Sequence, residues 1–203
     1  MSTYRIQAPI MAASLFLAAC SPAPAAAPAA AAAATVPAGT ANGSPGLMAD
    51  LMTDVSEVEK KMVDLAKAIP AAKYTYRPGT GVRSVGEVVM HVAADNYFMP
   101  AAAGAVAPAS TGIKPDDYET AAAYEKRAMS PDSAVAQMVA SFAFLKDAMK
   151  AQTAANLTER KKMFGAEYTG QQTWIMATTH LHEHLGQMIA YARANNITPP
   201  WSK

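Results

Sequence analysis

Four stretches of the chain read as amphipathic helices, and each is bounded by a proline or a capping residue. The first runs from about Leu47 to Ile69, with apolar positions 48, 51, 52, 55, 58, 62, 65 and 69, opposite Asp50, Asp54, Glu57 and Lys61. Pro70 closes it. The second runs from Val85 to Met99, opened by Ser84 and Glu87 in capping-box spacing and stopped by Pro100. The third starts at Ser130-Pro131 and carries Val135, Met138, Val139, Phe142, Leu145 and Met149 on one side. The fourth covers about Gln171 to Asn195 with a stripe of Trp174, Ile175, Thr178, Leu181, Leu185, Met188 and Ala192, and Asn195-Asn196 supplies a left-handed stop. No segment shows a period-two strand pattern. With 7% aromatics and 13 methionines the core suits helices better than a β-sandwich. The long connection 100–129 needs structure of its own, and Asp116 to Arg127 is predicted to form a short helix. The fold expected is all-α, a four-helix bundle with one long connection between its second and third helices.

Residues ahead of the bundle read differently. Residues 1–19 have the layout of a secretion signal, with Arg5 before the apolar run Ile10 to Ala19, which is too short to span a bilayer. Leu17-Ala18-Ala19-Cys20 resembles the lipobox of bacterial lipoproteins, and Cys20 is the sole cysteine. Lipidation at Cys20 is expected, the alternative being an ordinary signal cut after a small-residue triplet. Ser21 fits outer-membrane sorting. Residues 20–46, rich in Ala and Pro, form an expected tether, and 47–203 the bundle domain. The localisation expected is the cell envelope, as a periplasm-facing lipoprotein of the outer membrane. The whole chain has 17 Lys+Arg against 16 Asp+Glu, and loss of Arg5 makes the balance even. A neutral protein has no electrostatic pull toward nucleic acid, and its membrane contact would come through the lipid alone.

The histidines carry the chemistry. There are four, His91, His180, His182 and His184. Residues four apart on a helix lie about 40° apart around the axis, so His180 and His184 can chelate one ion, while His182 is half a turn away. His91, in the second helix, could face them across the core. Periodicity alone does not say which of His182 and His184 points inward, since each lies about 80° from the centre of the apolar stripe. His180-Leu181-His182-Glu183-His184 also fits the inverted zinc-peptidase pattern, with Glu183 as base. That pattern needs a downstream acidic ligand, and no Asp or Glu follows His184.

The motifs Tyr74-Thr75-Tyr76-Arg77-Pro78, Gly81-Val82-Arg83-Ser84, Glu87 through His91, His180 with His184-Leu185-Gly186-Gln187, and Asn196 through Pro200 together resemble the DinB-like family of metal-dependent four-helix-bundle proteins. The resemblance implies an up-and-down bundle and a divalent metal, zinc or nickel, held by His91, His180 and His184. It gives His182 no role, makes Glu87 a cap, and places Gln187 near the site. Characterised relatives include thiol S-transferases and a thiol-dependent isomerase. Three imidazoles would leave a coordination position open for water or a thiol. Asp95, Tyr97 and Tyr191 are candidate helpers. The function expected is a metal-dependent transferase or hydrolase acting on a small molecule, although export would separate it from a cytosolic thiol pool. The alternative is a non-catalytic envelope lipoprotein that uses the bundle for binding or structure, and a third is an interaction module with no metal. A homodimer is the assembly to test.

Overall fold

The computed structural model describes residues 45–202. The signal, Cys20 and all but the last two residues of the tether lie outside the described residues. Helix α1 spans Pro45–Ala68, α2 Val85–Ala102, α3 Tyr118–Glu125, α4 Pro131–Lys150, α5 Ala154–Thr158 and α6 Gly170–Ala194, with a hairpin of β1, Arg160–Met163, and β2, Ala166–Thr169, before α6. The four long helices are those expected from the sequence, and α3 is the short helix expected in the long connection. No helix among the described residues is long and apolar enough to cross a membrane.

Each long helix after α1 starts where a side chain satisfies free backbone N–H groups. Ser84 and Glu87 form the expected capping box, and Thr169 with Gln172 forms another at α6. Ser130 caps α4, with Pro131 at its first turn. Asn196 takes the left-handed conformation (φ 60°) just past α6. Gly170 is required by close approach: a Cβ there would lie 2.2 Å from the Asn156 carbonyl oxygen.

Pro100 does not stop α2. The helix continues to Ala102 with Pro100 inside its last turn. A proline there forfeits a single backbone bond, the one to the Asn96 carbonyl, and the following turn is closed by Ala103 N to Met99 O and Ala105 N to Pro100 O, both backbone bonds of 2.9–3.0 Å.

Nor is α2 amphipathic. All of its residues except Gly86 and Glu87 are buried, so it is the central helix. It packs against α4 and α6, while α3 and strand β1 cover its outer side. Helix α1 packs against α4 and α6 as well. Going round the bundle the order is α1, α4, α2, α6, so the first two bundle helices occupy opposite corners rather than lying side by side as sequential neighbours. The segment between them, residues 69–84, is long enough to cross the end of the bundle. Tyr74 fastens it there, donating its hydroxyl to the Ala66 carbonyl at 2.7 Å. Trp174, Phe98, Phe142, Met62, Leu65, Met138, Leu145, Leu181 and Met188 fill the interior without measurable exposure or nearly so.

The hairpin corrects the expectation of no strands. Its pairing is antiparallel, Arg160 opposite Thr169 through Met163 opposite Ala166. Only Met163 of the strand residues is fully buried, so the alternation that marks a half-buried strand is missing.

Candidate metal centre

Burial and the α-helical repeat bring three of the four histidines to one point. His91 projects from the middle of α2, and His180 and His184 from successive turns of α6. One ring nitrogen from each lies within 4.8 Å of the others. His180 Nε2 is 3.1 Å from His91 Nε2 and 3.0 Å from His184 Nε2. His91 and His184 are buried, and His180 is partly open.

The outer faces of two rings fix their tautomers. His91 Nδ1 meets Glu125 Oε2 at 2.9 Å, and Glu125 also accepts from Arg83 Nε at 2.6 Å. Burial works to raise the pKa of Glu125, but the hydrogen bonds from His91 and Arg83 outweigh it and hold the carboxyl at about 2. A carboxylate only accepts, so His91 Nδ1 carries the hydrogen. On the other side, the Tyr191 hydroxyl donates to the Arg83 carbonyl at 3.0 Å and therefore accepts from Gln187 Nε2 at 2.8 Å. That orients the amide, and Gln187 Oε1 accepts from His184 Nδ1 at 2.8 Å. Both Nε2 atoms are then bare lone pairs aimed at His180 Nε2.

His180 Nε2 can offer at most one hydrogen to them, and Asp95 Oδ2 also approaches it at 3.1 Å. Asp95 lies 3.5 Å from His91 Nε2 as well, is 4% exposed, and its Oδ1 is buried without a hydrogen-bond partner. Convergent lone pairs beside a buried carboxylate make a site that wants positive charge. Protons serve poorly: burial, with His180 and His91 alongside, pushes the pKa of His184 down to about 4. A divalent cation serves well. The nitrogens converge closely enough for all three rings to face one ion at an ordinary metal–nitrogen distance of about 2.1 Å. The outer partners Glu125 and Gln187 are of the kind that orient metal-ligating histidines. The three histidines are positioned to bind a metal ion.

The remaining candidates sort by contact. Glu87 caps α2 and pairs with Arg77, away from the histidines. His182 faces outward and meets Asp54 of α1 at 2.7 Å. Tyr191 reaches the site through Gln187. Tyr97 does not reach it; its ring packs on Tyr124 and Phe144. A cavity of about 410 Å³ opens beside the histidines, lined among others by Arg83, Asp95, Tyr118, Phe164, Thr179 and Glu183. Glu125 and Tyr118, both on α3, are site residues that sequence reasoning missed. Glu125 is 34 positions from the ring it orients, and the only available signal was the prediction that a helix forms around it.

A mostly helical bundle with three histidines converging from its α2 and α6 helices defines the class of protein. The profile of the DinB superfamily matches residues 55–188, and the chain belongs to that superfamily. No curated protein matches it. Among solved structures it is similar to a DinB-like protein (YjoA) from Bacillus subtilis, at 16% identity and a TM-score of 0.58, with 76% of this chain and 97% of that one covered. It is also similar to the mycothiol-dependent maleylpyruvate isomerase, at 13% identity and a TM-score of 0.55, with 70% of this chain covered. The chain spans 60% of that isomerase's length. At such identities the likeness speaks to the fold.

Proposed function

We propose that this chain is a metal-dependent enzyme in which His91, His180 and His184 hold one divalent ion, zinc or nickel, and that it activates a thiol or a water for transfer to, or hydrolysis of, a small-molecule substrate. The observation that carries the reading is the convergence of three Nε2 atoms whose two outer partners leave bare lone pairs pointing inward. Imidazole donors suit both ions. A bound divalent ion supplies Lewis acidity that lowers the pKa of a thiol or water in the adjoining cavity. The protein's own residues do the rest. Glu125 and Gln187 hold the rings in register. Asp95 stands 3.1 Å from His180 Nε2, where its carboxylate can accept the proton that the thiol or water gives up. Thiol chemistry is supported by the likeness to an isomerase named as mycothiol-dependent. Lipidation at Cys20 and a periplasm-facing place at the outer membrane belong to the same proposal and are supported by the lipobox resemblance alone.

The test is turnover by the full chain loaded with zinc or nickel. Two assays cover both chemistries: displacement of chloride from 1-chloro-2,4-dinitrobenzene by 2-mercaptoethanol, which forms the thioether, and hydrolysis of 4-nitrophenyl acetate. The expected result is a rate above buffer that chelator abolishes and metal restores. No turnover in either assay, with metal still bound, would favour the non-catalytic binding module.

A further inference from the structure

The hairpin turn breaks a local rule next to the candidate centre. β1 and β2 are joined by two residues, Phe164 and Gly165, both with positive φ, 51° and 79°. Two-residue hairpins of this kind take Asn-Gly or Gly-Gly, because a bulky side chain is strained at positive φ. Here an aromatic residue occupies the position that favours Asn. The strain is not repaid by full burial, since Phe164 is 47% exposed. Its ring sits 5.0 Å from the Tyr118 ring and 5.5 Å from the Phe98 ring, centroid to centroid. It also lines the cavity beside His180 and His184, with Met99, Met176 and Tyr118. Strained residues persist where function holds them, and departures from local preference concentrate at such places. The polar part of the cavity lining comes from Arg83, Asp95, Thr179 and Glu183 together with the three histidines.

We propose that Phe164 is a specificity-determining residue, forming with Tyr118, Met99 and Met176 an apolar wall that selects ligands carrying an aromatic-sized apolar group next to their metal-binding donor atom. The proposal rests on the metal-centre reading and names the class of ligand for it. An aromatic ring leaning on Phe164 and Tyr118 would bury apolar area on both partners, and the two methionine side chains can adjust to it. A small polar thiol would reach the centre without touching the wall.

The test uses the cobalt(II)-loaded full chain, titrated with phenylmethanethiol and with 2-mercaptoethanol, and reads the visible and thiolate-to-cobalt absorption bands. Wild type is expected to bind phenylmethanethiol about tenfold more tightly. Phe164→Asn, which restores the preferred turn pair, is expected to bind cobalt as wild type does, to keep its thermal midpoint within a few degrees, and to lose the preference. Phe164→Tyr is expected to retain it. Equal affinity for both thiols in wild type, or a preference that survives in Phe164→Asn, overturns the assignment while leaving the metal centre standing. A wild-type chain that takes up no cobalt overturns both, and the thiol-free spectrum tells the two failures apart.

Discussion

His180 and His182 lie two residues apart on α6, and each faces an aspartate, yet they belong to different chemistries. His182 meets Asp54 on the outside of the bundle, where both side chains are about half exposed. His180 meets Asp95 inside it, where the aspartate is almost wholly buried and two more imidazoles converge on the same nitrogen. Water solvates the outer pair and leaves it little to contribute. Water is largely withdrawn from the inner cluster, so its lone pairs and carboxylate need a cation or a compensating proton. Residue type and spacing along the helix are shared; burial and convergence separate a surface contact from a site.

Removing the ion should separate the two regions most sharply. A ligand at a hundred times its dissociation constant stabilises the native state by about 2.7 kcal/mol. Chelator should therefore lower the thermal midpoint of wild type by roughly 5–10 °C for a domain of this size. The same drop is expected in His182→Ala and none in His184→Ala, measured by calorimetry. A chelator-insensitive wild type would erase the distinction.

Next in size is the support behind the ring. Gln187→Leu removes the acceptor that orients His184 while keeping the bulk. Metal affinity should fall by roughly 10- to 100-fold. Competition with a fluorescent chelator measures it, and an unchanged affinity would show that the amide plays no part.

Acid offers a subtler contrast. The folded protein holds His184 at about 4, against an ordinary value of 6.5. Between those values the unfolded chain binds a proton that the fold refuses, so stability falls as pH drops through that window and is unaffected above it. In metal-free protein, the denaturant midpoint of wild type should decline more from pH 7 to pH 5 than that of His184→Gln. Parallel profiles would contradict the assigned burial effect.

The smallest effect should come from the outer pair. His182→Ala is expected to change stability by no more than about 0.5 kcal/mol and to leave metal content intact. A loss of metal there would place His182 in the centre and break the comparison.

Much of this architecture is legible in the residues alone. Apolar spacing reveals α1, α4 and α6, the capping box and apolar run reveal α2, and Ser84 and Ser130 mark two of the starts. Spacing also pairs His180 with His184, whereas choosing His184 over His182 as the inward histidine takes the family resemblance, because the apolar stripe lies equally far from both. Other features depend on tertiary context. Helix α2 is wrapped on every side, and its sequence, with His91, Asp95 and Asn96 among apolar residues, does not show which partners cover it. The strands are invisible to periodicity because only Met163 among them is fully buried, although Gly165 is half of a turn signature. Glu125 escapes a reading by spacing because its meeting with His91 joins segments 34 residues apart.

The central claim is that α2 and α6 together hold one ion through three histidines. Elemental analysis of the purified full chain tests it most directly, comparing wild type with His180→Ala after equal exposure to zinc and nickel and removal of excess. The account predicts about one ion per chain in wild type and near none in the variant. Equal metal in the two proteins, whether near one or near zero, would contradict it.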